Sequence, residues 1–276
     1  MKEIEKATPR NLSFFTKVLQ WYVKNPILVY TMGKVGSSSI VSTLREYDIE
    51  EVQPHSLTLS RRGSYFVVPT RSKAQNIKDK VKSGLLKLKG QVYFSSKRLM
   101  GKKIKIVTLT RDPLARTISA YFEQYQYVLK KDINQITTRE LIDNFHEFAN
   151  HKTPHIWFDN EIRTMLGTDV YSVNFDKELG CGEIETNTYN LLIVKMEKLS
   201  SLEGVLANYF NVKDFQLKST NRSEYKVYKE AYDKFKQEVT FSKAYLDFHY
   251  NSKYAKHFYT EDELTYFRKR WVEISE

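Results

Sequence analysis

Cysteine is nearly missing from this sequence, and glycine and proline are scarce: the 276 residues include one cysteine, ten glycines and six prolines. A lone Cys181 excludes an intramolecular disulfide and a cysteine-built zinc site, and cytoplasmic residence is the natural inference. Nothing in Gly180-Cys181-Gly182 supplies a neighbouring base or cation, so a nucleophilic thiol is a poor reading too. Long apolar runs are also missing. Asn11 to Val23 carries Phe15, Val18, Leu19 and Tyr22 on a helical face interrupted by Lys17 and Gln20, too short to span a bilayer. It lacks a signal peptide's basic start and small-residue cleavage site. It reads as an amphipathic helix packed on the domain or, as a second reading, lying on the inner face of a membrane.

Acid is missing from one stretch. The formal charge is +11, yet Arg61 to Lys105 holds fourteen Lys or Arg against a single acid, Asp79, so the remainder is slightly acidic. Such a block concentrates anions in a salt-dependent way. It reads either as a solvated lysine-rich helical excursion or as a groove for an anionic acceptor, such as a uronic-acid or phosphate-bearing glycan, or an anionic membrane surface. Nucleic acid fits less well. There is no helix-turn-helix, zinc-finger or RNP pattern, and the 19 tyrosines and 16 phenylalanines recur at core spacing.

What is present is led by Ile27 to Ile40, an apolar strand running into Gly33-Lys34-Val35-Gly36-Ser37-Ser38-Ser39 and then a helix. The glycines let backbone approach a ligand, the serines offer hydroxyls, and the first helical turn points unpaired N–H groups at the same spot. Lys34 adds a full positive charge. The order departs from the Walker loop, in which lysine follows the second glycine directly before the hydroxyl residue. Lys103 to Tyr121 is again a strand passing abruptly into a helix, with Asp112 as N-cap and Pro113 as first helical residue. Arg111 then stands at the strand's carboxyl end, and Ser119 two turns along the helix, where both can face one phosphate.

Together these segments resemble the sulfotransferases that use 3'-phosphoadenosine 5'-phosphosulfate. Lys34 to Ser39 match that family's loop for the 5'-phosphosulfate, and Arg111 with Ser119, inside R-D-P-L-x-R-x-x-S-x-Y, match its pair for the 3'-phosphate. Asn190 to Leu199 is similar to the strand ending in E-x-L, and Tyr254 to Glu263 to a segment near the family's C-terminus. Within that superfamily, His155-Ile-Trp-Phe-Asp-Asn-Glu161 and Gly167-Thr-Asp-Val-Tyr171 are similar to the bacterial group of putative capsular polysaccharide synthesis proteins. Two features depart from the pattern: Met32-Gly33 stands where a proline often precedes the lysine, and no R-K-G nucleotide loop is evident. Lys218, Asn221 and Arg222 are the substitutes considered for it.

The strands starting near residues 27, 104 and 191, alternating with helical patterns, indicate one α/β domain with a mainly parallel sheet flanked by helices. The resemblance implies a P-loop-like three-layer form of it over residues 1–276, with a basic insertion at about 61–103 and a helical insertion at about 125–160. Thr137 with Glu140 and Thr260 with Glu263 form capping boxes. Leu141, Phe145 and Phe148 then share one face of the first helix, and Leu264, Phe267 and Trp271 point inward from the second. Tyr225, Tyr228, Tyr232, Phe235 and Val239 mark a further helix.

The chemistry implied is transfer of a sulfuryl group to an acceptor hydroxyl, with carbohydrate favoured. Lys34 would stabilise the bridging oxygen, and Val35, Gly36 and Ser37 to Ser39 would hold the 5'-phosphate. His55, beyond a second strand, is the leading base, and Asp159, Glu161 and His155 are its rivals. Trp157 and Phe158 read either as sugar-stacking groups or as core. His146, His151 and His155 lie close together but lack metal-ligand spacing, and the resemblance implies no metal. A nucleotide-dependent kinase and a non-catalytic polyanion-binding module remain the alternatives.

Overall fold

The computed structural model describes residues 25–58, 84, 88, 90–129, 131–218 and 227–271. The expected helix over 11–23, most of the basic insertion, and Asn221, Arg222 and Tyr225 lie outside the described residues.

Five strands form one sheet: β1 (Ile27–Val29), β2 (Glu51–Val52), β3 (Ile104–Thr110), β4 (Cys181–Glu185) and β5 (Tyr189–Lys195). Their order is β2-β1-β3-β5-β4. All neighbours are parallel except β4, which runs antiparallel to β5 along the edge. The central pair is the longest, in register from Ile104 opposite Tyr189 to Thr110 opposite Lys195. Its apolar residues are buried without interruption, as expected for a parallel sheet covered on both faces.

Helix α1 (Ser37–Glu46) joins β1 to β2. After β2 the chain returns through α2, a helix over 90–99, to β3 on the far side of β1. The strand order therefore reverses between β1 and β3. Right-handed crossovers then send the helices on either side of that point to opposite faces of the sheet, opening a crevice at the carboxyl ends of these two strands. Helix α3 (Pro113–Leu129) starts as the sequence predicts, with the Asp112 carboxylate accepting from the N–H groups of Leu114 and Ala115 at 2.9 and 3.2 Å.

Beyond α3 come α4 (Thr138–Phe148) and α5 (Thr153–Phe158). The helical run does not stop near residue 160: a wide turn, Asp159–Arg163, continues it into Thr164–Leu166. After β5 follow α6 (Glu203–Phe210), α7 (Lys229–Glu238), α8 (Lys243–Tyr250), α9 (Lys253–Phe258) and α10 (Glu261–Lys269). Both predicted capping boxes are formed, and Leu141, Phe145, Leu264, Phe267 and Trp271 are buried. Lys195, fully buried at the end of β5, donates to both Glu263 oxygens at 2.9 and 2.7 Å, which pins α10 to the sheet. Among the described residues no helix is long and apolar enough to cross a membrane.

Candidate functional site

The loop after β1 is held in a strained form. Lys34 lies in the left-handed region at φ 73°, which costs a non-glycine residue on the order of 1 kcal/mol. Gly36 follows at φ 83°, and a Cβ there would press on the Met196 side chain at 3.1 Å. Two arginines from the β3 end tie the loop down: Arg111 Nη1 donates to the Lys34 carbonyl at 2.9 Å, and buried Arg116 Nε donates to the Gly33 carbonyl at 3.0 Å. Because a trans peptide sets C=O and N–H on opposite sides, the N–H groups of Lys34 and Val35 face away from these arginines. Gly36 caps α1 without a side chain, and the Ser39 N–H turns back to the Gly36 carbonyl at 3.1 Å, so of the first helical turn it is Ser37 and Ser38 whose N–H groups point out of the helix start.

Each loop residue has a distinct place. Val35 is buried in the core, and Ser37 is buried with its hydroxyl accepting from the Gln53 amide at 2.6 Å. Ser38 and Ser39 keep partial access to solvent. The Lys34 ammonium lies 3.0 Å from Glu123, whose same oxygen accepts from the Tyr228 hydroxyl at 3.0 Å. Ser119, one turn before Glu123 on α3, is half-buried. Lys218 goes elsewhere: its ammonium pairs with Glu46 at the far end of α1, some 15 Å by helix rise from Gly36, so it does not join the anion loop.

Where β3 and β5 end, three buried tyrosines from residues 250–259 close the structure. Tyr254 accepts from the Arg111 N–H and donates to its carbonyl, both at 2.9 Å. Tyr250 donates to Asp112 at 3.1 Å, and Tyr259 to Glu197 at 3.1 Å. The Asp112 N–H in turn donates to Glu197 at 2.7 Å, which brings two acids together beside Arg111. Burial raises Asp112, and its second oxygen has no hydrogen-bond partner among the described residues. Glu197 keeps solvent access along one side, yet the protein packed around its carboxylate, with Asp112 adding negative charge, pushes it up to about 7.

His55 sits on the rim of the same crevice. Its exposed ring points Nδ1 at the Thr31 carbonyl, 2.9 Å away, which requires Nδ1–H and leaves the Nε2 lone pair available. The rival bases are placed less favourably. Glu161 is fully buried and accepts from five donors: Tyr30 at 2.6 Å, the Ser56 hydroxyl at 2.8 Å, the Leu57 and Thr58 N–H groups at 2.7 and 3.1 Å, and the Thr58 hydroxyl at 2.5 Å. It fastens the segment after His55 to the wide turn and has no lone pair left for a substrate. Asp159 pairs with Arg163, and His155 is lowered to about 4 by burial.

Trp157 and Phe158 belong to the core, 6% and 1% exposed, which decides between their two readings in favour of core packing. Trp157 Nε1 donates to the His55 carbonyl at 3.1 Å, so it supports the rim from beneath. The histidines form a packed layer: His155 Nε2 meets His249 Nδ1 at 3.1 Å, and His151 Nδ1 meets the Tyr245 hydroxyl at 2.6 Å. Among the described residues no three metal-ligating side chains gather where an ion could bind. Cys181 is buried, which pushes its thiol up from the ordinary range.

The structure thus brings Lys34, Arg111 and His55 to the carboxyl ends of neighbouring parallel strands, places Ser119 along α3 one turn before the Glu123 that pairs with Lys34, and adds Glu123, Arg116, Tyr228 and Tyr254, which sequence reasoning missed. Glu123 was findable, lying one helical turn beyond Ser119. Fold and site together define an α/β protein with a mainly parallel five-stranded sheet flanked by helices, its candidate site at a strand-order reversal. Residues 128–260 match the family described as "Putative capsular polysaccharide synthesis protein". That match takes in His155, Glu161, Glu197 and Tyr254 and begins after both anion-type loops. No curated protein matches the chain, and no solved structure does.

Proposed function

We propose that this protein is a P-loop-like sulfotransferase, moving a sulfuryl group from 3'-phosphoadenosine 5'-phosphosulfate to a hydroxyl of a carbohydrate acceptor in surface-polysaccharide synthesis. One observation carries the reading: the Arg111 guanidinium touches the Lys34 carbonyl, so two cationic strand ends converge within reach of one nucleotide. The donor set suits a bisphosphate, with Lys34, the N–H groups of Ser37 and Ser38 and the hydroxyls of Ser38 and Ser39 for the 5'-side, and Arg111 with Ser119 for the 3'-phosphate. The match to a capsular polysaccharide family over residues 128–260 favours a glycan acceptor.

In the reaction the acceptor oxygen attacks sulfur in line as the bond from sulfur to the bridging phosphate oxygen breaks. Such transfer asks chiefly for positioning and charge neutralisation. Lys34 leaves Glu123 to neutralise the bridging oxygen, and His55 Nε2 takes the proton from the acceptor hydroxyl. The products are a sulfate ester and adenosine 3',5'-bisphosphate. Strain at Lys34 is already present before binding, so the loop needs little reorganisation.

Calorimetry tests this. Adenosine 3',5'-bisphosphate should bind with an affinity that Arg111→Ala and Lys34→Ala both weaken. Binding of ATP instead favours a kinase, and binding of neither nucleotide leaves a polyanion-binding module.

A further inference from the structure

The described residues include nine large hydrophobic side chains that are exposed, and four of them fall within residues 88–100: Leu88, Val92, Leu99 and Met100, at 55%, 46%, 88% and 54% exposure. They are not scattered over α2. Gly90, Tyr93 and Lys97 face inward, while Val92, Ser95 and Leu99 follow one another at helical steps of three and four along the outward side, with Leu88 exposed just before α2 and Met100 just after it. Single exposed apolar residues are ordinary, but a stripe at helical period marks a contact surface.

The charge along this stretch of sequence identifies the partner. From Arg61 to Lys105 the sequence carries fourteen basic residues and one acid, and residues 84–103 contain no acid at all. Arg98 stands exposed beside Leu99, followed by Lys102. A leucine and valine line bordered by cations is the make-up of a helix lying in the interface of an anionic bilayer. A protein partner would be expected to meet buried Trp or Tyr anchors, and the stripe has none.

We propose that the outward side of α2 docks this protein on an anionic lipid surface, with Leu88, Val92, Leu99 and Met100 entering the headgroup boundary. The position has a consequence for access. Gly90, at the start of α2, lies against Leu57, two residues beyond His55; a Cβ added to Gly90 would come within 3.6 Å of the Leu57 Cβ and strike the Met165 methyl. The docked helix therefore brings the rim carrying His55 close to the bilayer. The docking itself does not depend on the sulfuryl-transfer reading.

Co-sedimentation of the full chain with vesicles is the test. The wild type should bind phosphatidylcholine vesicles containing phosphatidylglycerol and leave pure phosphatidylcholine vesicles alone. Val92→Glu/Leu99→Glu should lower partitioning by roughly tenfold or more, because the apolar contribution is lost and like charge is added to the surface. Tyr266→Glu, an exposed aromatic on α10, should bind as the wild type does. Matching melting temperatures would show that the variants are folded. The proposal is overturned if the wild type ignores anionic vesicles, or if Val92→Glu/Leu99→Glu binds them equally well. It is also overturned if that variant only converts a dimer to a monomer, which assigns the stripe to a second copy of the chain, or only abolishes capture of an acidic protein.

Discussion

Two acidic regions of this molecule, one fully buried and one reached by water on one side, behave in opposite ways. At the seam between β1 and the wide turn, one carboxylate, Glu161, receives five hydrogen bonds. At the ends of β3 and β5, two carboxylates, Asp112 and Glu197, share five such bonds between them and keep one oxygen left over. The seam is finished, with every lone pair used, and its work is to hold residues 55–58 in place. The edge is unfinished: one buried oxygen of Asp112 has no hydrogen-bond partner among the described residues. Saturated polar groups fix structure, whereas under-satisfied ones mark where something else binds.

The contrast can be broken most forcefully at the seam. Glu161→Ala orphans five donors in a dry interior and should cost about 4 kcal/mol, read as a lower urea midpoint. A loss below about 1 kcal/mol would mean that water replaces the carboxylate and the seam is no clamp.

At the edge the largest effect is on turnover. Lys34→Ala should lower it by roughly a hundredfold or more while the fold stays intact. Lys34→Gly should do the same and gain up to about 1 kcal/mol of stability, because glycine accepts the left-handed backbone. A Lys34→Gly variant that melts earlier than Lys34→Ala contradicts the strain.

A third comparison uses the histidine layer behind α5. Burial holds His155 at about 4, so its contribution to stability is full above the ordinary value of 6.5 and is lost as pH falls from there toward 4. His155→Phe should remove roughly 2 kcal/mol of that acid sensitivity, measured as the change in urea midpoint between pH 7 and 4.5. An unchanged pH profile would show that His155 takes up its proton without penalty.

The smallest effect is expected at Glu197. Its raised value means that protonation is favoured in the folded state, so its contribution is full at low pH and fades as pH rises through about 7. Glu197→Gln should raise stability at pH 8 by on the order of 1 kcal/mol, held small because water reaches one side of the residue. The same variant should flatten the pH dependence of bisphosphate binding between pH 6 and 8. An identical slope in wild type and variant would place the titrating group elsewhere.

The parts that could be read from the sequence are those whose cause is local. The apolar runs of β1, β3 and β5, Asp112 and Pro113 at the start of α3, and both capping boxes each carry their signal within a few residues. β4 escaped because Cys181-Gly-Glu-Ile-Glu185 has only weak alternation, and its pairing with β5 decides its state. Glu161 read as a rival base because its donors, Tyr30 and Ser56 to Thr58, lie more than a hundred residues away in sequence. Trp157 and Phe158 looked able to stack a sugar, since the sequence does not show the helices that bury them. Arg111 and Lys34 were each recognisable alone, but their contact follows from the reversal of strand order between β1 and β3, a property of the whole topology.

The tyrosines at 250, 254 and 259 set a timetable for the protein. Asp112, Arg111 and Glu197 receive their hydroxyl partners only from that late stretch of chain. A ribosome will have made the loops after β1 and β3 long before either can settle. Until translation has passed residue 259, the nascent sheet carries an acid pair and an arginine without their closing hydrogen bonds. Closure of this edge should therefore arrive abruptly, near the end of synthesis, rather than grow with chain length.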